Sequence, residues 1–142
     1  MFKNKLVNIM LIIILALTLV GVVTLVLINH FSKEDTPSEP TIDDIIELSV
    51  DTEEITTNLL SNDFARIQFR IQVDNKKAKS ELEKRDFQVS NIVIRELAGL
   101  QASQLSGPDG IEALEDQVQL KVNQFLQEGS VVHVYTTTLM IQ

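Results

Sequence analysis

The sequence predicts an α+β protein: a single N-terminal transmembrane helix, then a small domain of strands, helices and a C-terminal strand. Three observations support this fold class. A charge-free apolar stretch lies near the N-terminus, and residues 45–73 alternate apolar and polar side chains with period two. Residues 74–129 then carry apolar side chains at helical spacing, before an ending rich in β-branched residues.

The N-terminal apolar stretch, Leu6–Ile28, contains 23 consecutive uncharged residues. A helix of this length measures about 34 Å, which is enough to cross a hydrocarbon core of ~30 Å. The alternative is a cleaved signal peptide, which has a shorter apolar region and small residues at its cleavage site. Here the stretch ends on the large residues Val26-Leu27-Ile28. We therefore predict an uncleaved membrane anchor.

Charges beside the anchor predict its orientation. Residues 1–5 form a short tail that contains Lys3 and Lys5, whereas Lys33 is the one lysine or arginine that closely follows the span. Cytoplasmic flanks carry the excess of lysine and arginine. The tail is therefore predicted to be cytoplasmic, and the C-terminal part to lie outside the cytoplasm.

Residues 29–44 are predicted to link the anchor to a domain at residues 45–142. This segment is acidic and contains Pro37 and Pro40, which do not fit inside a helix and bias the preceding residues toward extended conformations. A solvated tether that self-repelling acids keep extended is the simplest interpretation. Docking of the segment on a neighbouring protein is the alternative.

The charge and the cysteine content exclude several function classes. The chain has 20 acidic and 12 basic residues, and residues 1–33 hold three lysines and no acid, so the net charge of −8 leaves −11 for the remainder. Such a surface does not bind nucleic acid through bulk charge. The absence of cysteine rules out disulfides, thiol catalysis and cysteine-ligated zinc.

Three segments show the alternation that is typical of strands with one buried face. Their apolar-side positions are Ile46, Leu48 and Val50, then Ile55, Thr57 and Leu59, then Ile67, Phe69, Ile71 and Val73. The third segment is the clearest, and its Arg66 and Arg70 are predicted to lie on the solvated face of the sheet. Val131–Gln142 is apolar on both faces and is predicted to form an interior strand.

Helical spacing begins at Asp74-Asn75, where either residue can cap a helix. Arg85 and Asp86 interrupt the apolar stripe, so this segment is predicted to form two helices or one kinked helix. Its interspersed lysines and glutamates indicate a solvated helix face, and a basic ligand patch is the alternative.

A breaker, Ser106–Gly110, precedes the last predicted helix. Asp109 and Glu112 have the spacing of a capping box at its start. The helix is predicted to continue to Gly129, which suits the position just past a helix end. Its apolar stripe consists of Ile111, Leu114, Val118, Val122 and Phe125.

No catalytic, cofactor-binding or metal-ligating residues are predicted. The chain has two histidines, His30 at the membrane edge and His133 in the final strand, so no histidine pair suggests a metal site. A strand histidine without a visible partner is more often packed or solvated than catalytic. The residue pattern therefore leads to an acidic anchored domain, and stops short of a function.

Specific residues within this arrangement also match a known family. They are Asn58-Leu59, Asp74, Asn123, and an ending of Val134-Tyr135, Thr137 and Ile141-Gln142. Together with the short cytoplasmic start, the single span and the acidic linker, they resemble the flagellar basal-body-associated FliL family over nearly the whole chain. The chain departs from the family at Thr136, where Phe is usual, and at Leu139, where an aromatic residue is usual.

The resemblance implies a fold similar to stomatin/prohibitin-type (SPFH) domains. It also implies a ring-like homo-oligomer around the stator of the flagellar motor, with stator proteins and the basal-body membrane ring as partners. The implied role is support of torque generation, motility and chemotaxis, without enzyme activity or cofactors. Two alternatives stay open: an anchored binding or sensor domain of unrelated function, and a membrane-held hydrolase, which would need a polar cleft.

Overall fold

The computed structural model describes residues 4–31 and 39–142. Its contacts divide the chain into two units, Met1–Glu39 and Pro40–Gln142. The first unit contains helix α1, Lys5–Phe31. Within it, Lys5–His30 is long and apolar enough to cross a membrane, with a mean hydropathy of 3.2. The predicted apolar helix is therefore present, and extends a few residues beyond Leu6–Ile28.

Two threonines inside α1 satisfy their own hydroxyl groups. The hydroxyl of Thr18 donates to the carbonyl of Ile14 at 3.0 Å, and that of Thr24 donates to the carbonyl of Val20 at 2.8 Å. Since hydrocarbon offers no hydrogen-bond partners, these internal bonds make the threonines compatible with a membrane span.

The second unit begins with a short helix where the sequence predicts part of a linker and then a strand. Helix α2 covers Ile42–Glu47, and strand β1 covers only Ser49–Asp51. Thr41 and Asp44 form a capping box, in which the Thr41 amide donates to the Asp44 carboxylate at 3.0 Å. This cap starts a helix directly after Pro40, so the predicted strand at Ile46 and Leu48 is wrong.

The predicted linker at residues 29–44 is helical at both ends, in α1 and in α2, while residues 32–38 lie outside the described residues.

One antiparallel sheet organises the second unit. Its further strands are β2, Ile55–Asn58; β3, Phe64–Val73; and β4, Val131–Ile141. Strand β3 is central, because β1 and β2 pair with one of its sides in succession and β4 pairs with the other. Strand β4 therefore lies at an edge of the sheet in the described part of the chain. The prediction of a final strand is confirmed, but its interior position is wrong.

The facing of β3 is as predicted. Ile67, Phe69 and Ile71 are at most 1% exposed and belong to the core. Arg66 and Arg70 point to the opposite, open face, where they form ion pairs. Alternation specifies this facing because a slip of one residue would exchange the two sets of side chains.

The helical segment forms two helices, α3 at Lys76–Lys84 and α4 at Asp86–Ala98. Asn75 caps α3 by accepting a hydrogen bond from the Ala78 amide at 2.9 Å. The break falls at Arg85, as the interrupted stripe predicts. A short 3₁₀ helix at Ala102–Leu105 leads to α5, Pro108–Asn123.

Both predicted ends of α5 need correction. Gly107 occupies the N-cap with φ of 81°, and no side chain caps the helix there, so Asp109 and Glu112 do not form the predicted capping box. The proline at the first helical position explains the start, since its fixed φ suits that position. The helix ends at Asn123, well before Gly129, and the Asn123 side chain accepts a hydrogen bond from the amide of Val131, the first residue of β4.

The core lies between the sheet and helices α3, α4 and α5. It contains buried side chains from β2, β3 and β4 and from the inner faces of the three helices, and Val50 of β1 packs against them. Its largest fully buried members are Phe69, Ile67, Ile71, Leu82, Leu97, Val73, Val89, Val93, Val118, Val122 and Val134.

Two glycines lie where a Cβ would meet neighbouring atoms, backbone atoms at Gly110 and side chains at Gly129. A Cβ at Gly110 would lie 2.1 Å from the carbonyl oxygen of Gln104, and one at Gly129 would lie 2.4 Å from the Asp74 carboxylate. Gly129 also has φ of 147°, which strains any other residue.

We expect Gly110→Ala and Gly129→Ala each to lower the free energy of unfolding of residues 41–142 by about 3 kcal/mol. Gly99→Ala is the matched control, since its nearest new contact is 3.6 Å away, and we expect a change below about 1 kcal/mol. Urea unfolding measures all three. Equal effects at the three positions would show that the close contacts at Gly110 and Gly129 do not decide the loss of stability.

Candidate interaction surfaces

The described residues contain no evident centre for chemistry. Among residues 4–31 and 39–142, no three acidic, histidine or cysteine side chains are grouped so that they could hold a metal ion. His133 lies exposed on β4, where its ring contacts Tyr135 edge-on with centroids 4.3 Å apart. The other surface features of the domain are the edge of β4, the open face of the sheet and two depressions.

Two of the four lysines of α3 make contacts with α2. The Lys76 ammonium pairs with the Glu47 carboxylate at 2.7 Å, and the Lys79 ammonium donates to the Glu47 carbonyl at 2.8 Å. The hydrogen bond that the Lys76 ammonium donates to the Glu47 carboxylate raises the pKa of Lys76. These contacts join α2 to α3, which favours the solvated-face interpretation over a basic ligand patch.

Part of the β4 edge is covered by polar side chains of α5 at four-residue spacing. Asn123 accepts from the Val131 amide at 2.7 Å, and Gln119 donates to the Val131 carbonyl at 3.2 Å. Glu115 accepts from both the amide and the hydroxyl of Thr136, at 2.8 and 2.7 Å. One helix face therefore binds backbone groups at both ends of the first half of the edge strand.

The second half of the β4 edge lacks this cover. Phe64 and Gln142 exchange two backbone hydrogen bonds, of 2.8 and 2.9 Å. Alternation along the ladder then directs the backbone N–H and C=O groups of Leu139 and Ile141 away from β3. In the described part of the chain, no side-chain hydrogen bond reaches them. Such an edge can pair with another chain.

The family-like residues of β4 have structural positions. Val134 is 1% exposed in the core, and the Tyr135 hydroxyl donates to the Gln72 side chain at 3.3 Å. Thr137 bonds the Gln68 carbonyl at 3.1 Å, next to an irregularity in the strand pairing. Thr136, which stands where Phe is usual, makes the two bonds to Glu115 that close the edge.

The open face of the sheet carries paired charges. Arg70 donates two hydrogen bonds to Asp51, at 2.6 and 2.7 Å, and Arg66 lies 3.4 Å from Glu54. The hydrogen bonds from Arg70 lower the pKa of Asp51, and those to Asp51 raise the pKa of Arg70. These pairs cross from β3 to β1 and its following loop, so they support the strand pairing.

Two acids secure the turn before β4. Asp74 accepts from the Ser130 amide at 3.1 Å. Glu81 accepts from the amides of Gln127 and Glu128 at 3.0 and 2.9 Å, and its side chain is 13% exposed. Burial of Glu81 raises its pKa, but these bonds and the ion pair with Arg85 outweigh that effect, so the pKa lies below its ordinary value.

A lowered pKa in the folded state means that ionised Glu81 contributes stability above the unfolded pKa, and that this stability is lost as the pH falls below about 4.5. We expect Glu81→Gln to destabilise residues 41–142 clearly at pH 7 and much less at pH 3.5. The exposed Glu83→Gln is the control and should change stability little at either pH. Urea unfolding at both pH values tests this, and a pH-independent loss at Glu81 would contradict it.

A cleft of about 420 Å³ lies between β1 and helices α3 and α4. Val50, Leu82 and Val89 contribute apolar side chains to it, and the core residue Ile71 lies behind them. Glu53, Glu83 and Asp86 contribute exposed carboxylates.

A second, shallower depression of about 430 Å³ is lined by apolar and amide side chains of α4 together with Phe125. Phe87 is 67% exposed there. The guanidinium of Arg85, at the break between α3 and α4, lies 5.4 Å from the centre of the Phe125 ring, within reach of a cation–π interaction. Large exposed aromatic groups of this kind are typical of protein contact surfaces.

The chain thus falls in the class of proteins that combine one helix long and apolar enough to cross a membrane with a small α+β domain. The family described as "Flagellar basal body-associated protein FliL" matches residues 49–142. "Flagellar protein FliL" of Bacillus subtilis (strain 168) is 44% identical over 110 residues, covering 78% of this chain and 79% of that protein.

"Flagellar protein FliL" of Aquifex aeolicus (strain VF5) is 29% identical over 79 residues, covering 56% of this chain and 49% of that protein. The chain belongs to the FliL family of flagellar basal-body-associated proteins. This assignment connects it with the flagellum and motility, and agrees with the resemblance carried by the β4 residues.

Proposed function

We propose that α1 holds this protein in the cytoplasmic membrane, with residues 1–5 in the cytoplasm and the 40–142 unit outside, and that the protein forms a ring around the flagellar stator. In this role it supports torque generation, and thereby swimming, swarming and chemotaxis. Membership of the FliL family carries the proposal. The candidate span supports membrane attachment, and Lys3 and Lys5 support the orientation.

Self-association is physically reasonable for a tethered domain of this kind. Subunits that share one membrane have a raised effective concentration, so weak lateral contacts can produce a ring although the free domain is monomeric. The uncovered backbone of Leu139 and Ile141 and the exposed Phe87 supply surface for such contacts, with stator proteins and the basal-body membrane ring as further partners.

We infer that the protein acts by binding alone, without enzyme activity or cofactor. The central strand and flanking helices also motivate our proposal that the domain is similar to stomatin/prohibitin-type domains. A membrane-anchored sensor or binding domain of unrelated function is less well supported, because the family assignment places the chain among flagellar proteins.

Localisation of a fluorescent fusion in live cells tests the stator proposal. We expect foci at flagellar bases in wild-type cells and dispersal of these foci when the stator proteins are deleted. Deletion of the flagellar filament alone is the control, and should leave the foci in place. Foci that persist without the stator would contradict the proposed partner, while leaving the family assignment intact.

The orientation is tested separately. We expect a reporter that is active only outside the cytoplasm to be active when fused after Gln142, since the basic tail keeps the N-terminus inside. A reporter that is active only in the cytoplasm, fused at the same position, should be silent. The reverse pattern would overturn the proposed orientation.

A further inference from the structure

Strand β1 has backbone groups that do not pair with β3. The amide of Val73 donates to the Leu48 carbonyl, and that of Thr52 donates to the Phe69 carbonyl, both at 2.9 Å. With the observed pairing of Val50 with Ile71, these bonds direct the backbone groups of Ser49 and Asp51 away from β3. Both residues line the cleft beside α3 and α4, where Ser49 is buried at the inner end and Asp51 is exposed.

The cleft has the shape and lining that an added strand requires. It offers outward-directed backbone groups on one wall and helices on the other, with Val50, Leu82 and Val89 between them. An extended peptide can therefore form ladder hydrogen bonds to β1 while alternate side chains enter the apolar floor, which is the mode of strand addition to an exposed sheet edge.

The charged residues that line the cleft determine which kind of peptide it favours. Glu53, Glu83 and Asp86 form no ion pair within the described residues, whereas Asp51 is bound to Arg70. The one cation in the lining, Lys79, donates to the Glu47 carbonyl. Lys79 keeps its positive charge in that bond, so three carboxylates without an ion pair against one ammonium leave the lining with a net negative charge, which favours a basic segment.

The same charge disfavours segments of this chain. The linker that precedes α2 carries Glu34, Asp35 and Glu39, so it is repelled by the cleft. The domain of a second copy is also strongly acidic, and the basic sequence around Lys76 to Lys79 is held in helix α3 and bound to Glu47.

We propose that the cleft between β1 and α3–α4 binds an extended, basic segment of another protein, which adds as a strand to the edge of β1. This site goes beyond the proposed ring and stator role, because it specifies a peptide chemistry that does not depend on which protein carries the segment.

Binding of short labelled peptides to the full chain in phosphatidylcholine nanodiscs tests the proposal. The probe is a fluorescent hexapeptide with alternating Lys or Arg and Val, and empty nanodiscs correct for lipid binding. We expect saturable binding, and no binding of the same peptide with Glu at the basic positions. A probe that binds no better than its acidic counterpart would overturn the proposal.

Charge variants locate the site. We expect the double change Glu83→Gln and Asp86→Asn to weaken binding about tenfold, since each exposed pair is worth up to ~1 kcal/mol. The matched control is Glu112→Gln with Asp116→Asn, which removes the same charge from exposed positions of α5 and should leave the affinity unchanged. Equal losses in the two variants would show nonspecific attraction and overturn the site.

Backbone pairing needs its own probe. Methylation of alternate amides of the hexapeptide preserves its charge but removes ladder hydrogen bonds, and we expect about tenfold weaker binding or worse in one of the two methylation registers. Equal binding of both methylated forms would overturn strand addition. Loss of peptide binding as the protein associates would instead assign the cleft to a second copy.

The peptide result and the localisation result are independent. If the peptide binds but the foci persist without the stator proteins, the peptide site is supported and the stator proposal is refuted. If the foci depend on the stator proteins but the peptide does not bind, the stator proposal is supported and the peptide site is refuted.

Discussion

Removal of residues 132–142 is expected to abolish cooperative folding of the 41–142 domain. Strand β4 pairs with β3 from Ala65 to Val73 and supplies the core residue Val134. Its loss would leave a ladder of backbone groups unpaired, each costing about 1–3 kcal/mol when buried, against a total stability of only ~5–15 kcal/mol. Circular dichroism and thermal unfolding of the truncated domain measure the effect.

A milder pair of substitutions controls for the truncation. Val134 is 1% exposed and Val132 is 48% exposed on the same strand. We expect Val134→Thr to destabilise the domain by about 1–3 kcal/mol and Val132→Thr to have little effect, because only the first buries a hydroxyl in the core. A truncated domain that melts as cooperatively as the intact one would show that β4 is dispensable.

Release of the domain from the membrane is expected to eliminate its contribution to motility although the domain still folds. If residues 6–28 are replaced by a cleavable signal sequence, the raised effective concentration that the shared membrane provides disappears, and weak lateral contacts lose their occupancy. Swimming and swarming of a deletion strain complemented by the anchored or the released form measure this effect.

An unrelated apolar span in place of residues 6–28 is the matched control for release. It keeps the tether and changes its sequence, so we expect motility to be restored close to the level of the natural chain. Full rescue by the released domain, at an equal amount of folded protein, would contradict a tether-dependent role.

Elements whose evidence lies in their own residues were predictable. The charge-free segment forms helix α1, and the alternating segment forms β3 with the expected side chains facing the core. The break between α3 and α4 at Arg85 was also predictable, because charged residues interrupt the apolar stripe there. Helix α2 was missed although a local signal existed, since Thr41 and Asp44 have capping-box spacing directly after a proline.

The edge position of β4 could not be predicted from its composition. A strand without charges is typical of a sheet interior, and here Glu115, Gln119 and Asn123 cover half of its free edge instead. Asn123, the last residue of α5, makes one of these contacts. Side chains at four-residue spacing on a helix do not reveal from sequence which strand they will meet.

By itself, the sequence determined the membrane-compatible helix, the central strand, the helical segments and the family, because periodicity, apolar length and matching residues are properties of contiguous chain. Only the tertiary structure decided which edges of the sheet are covered, and that β1 borders an acidic cleft. Those features depend on contacts between distant residues, such as Asp51 with Arg70 and Glu81 with Gln127. Such contacts exist only once β3 has brought β1, β4 and the helices together.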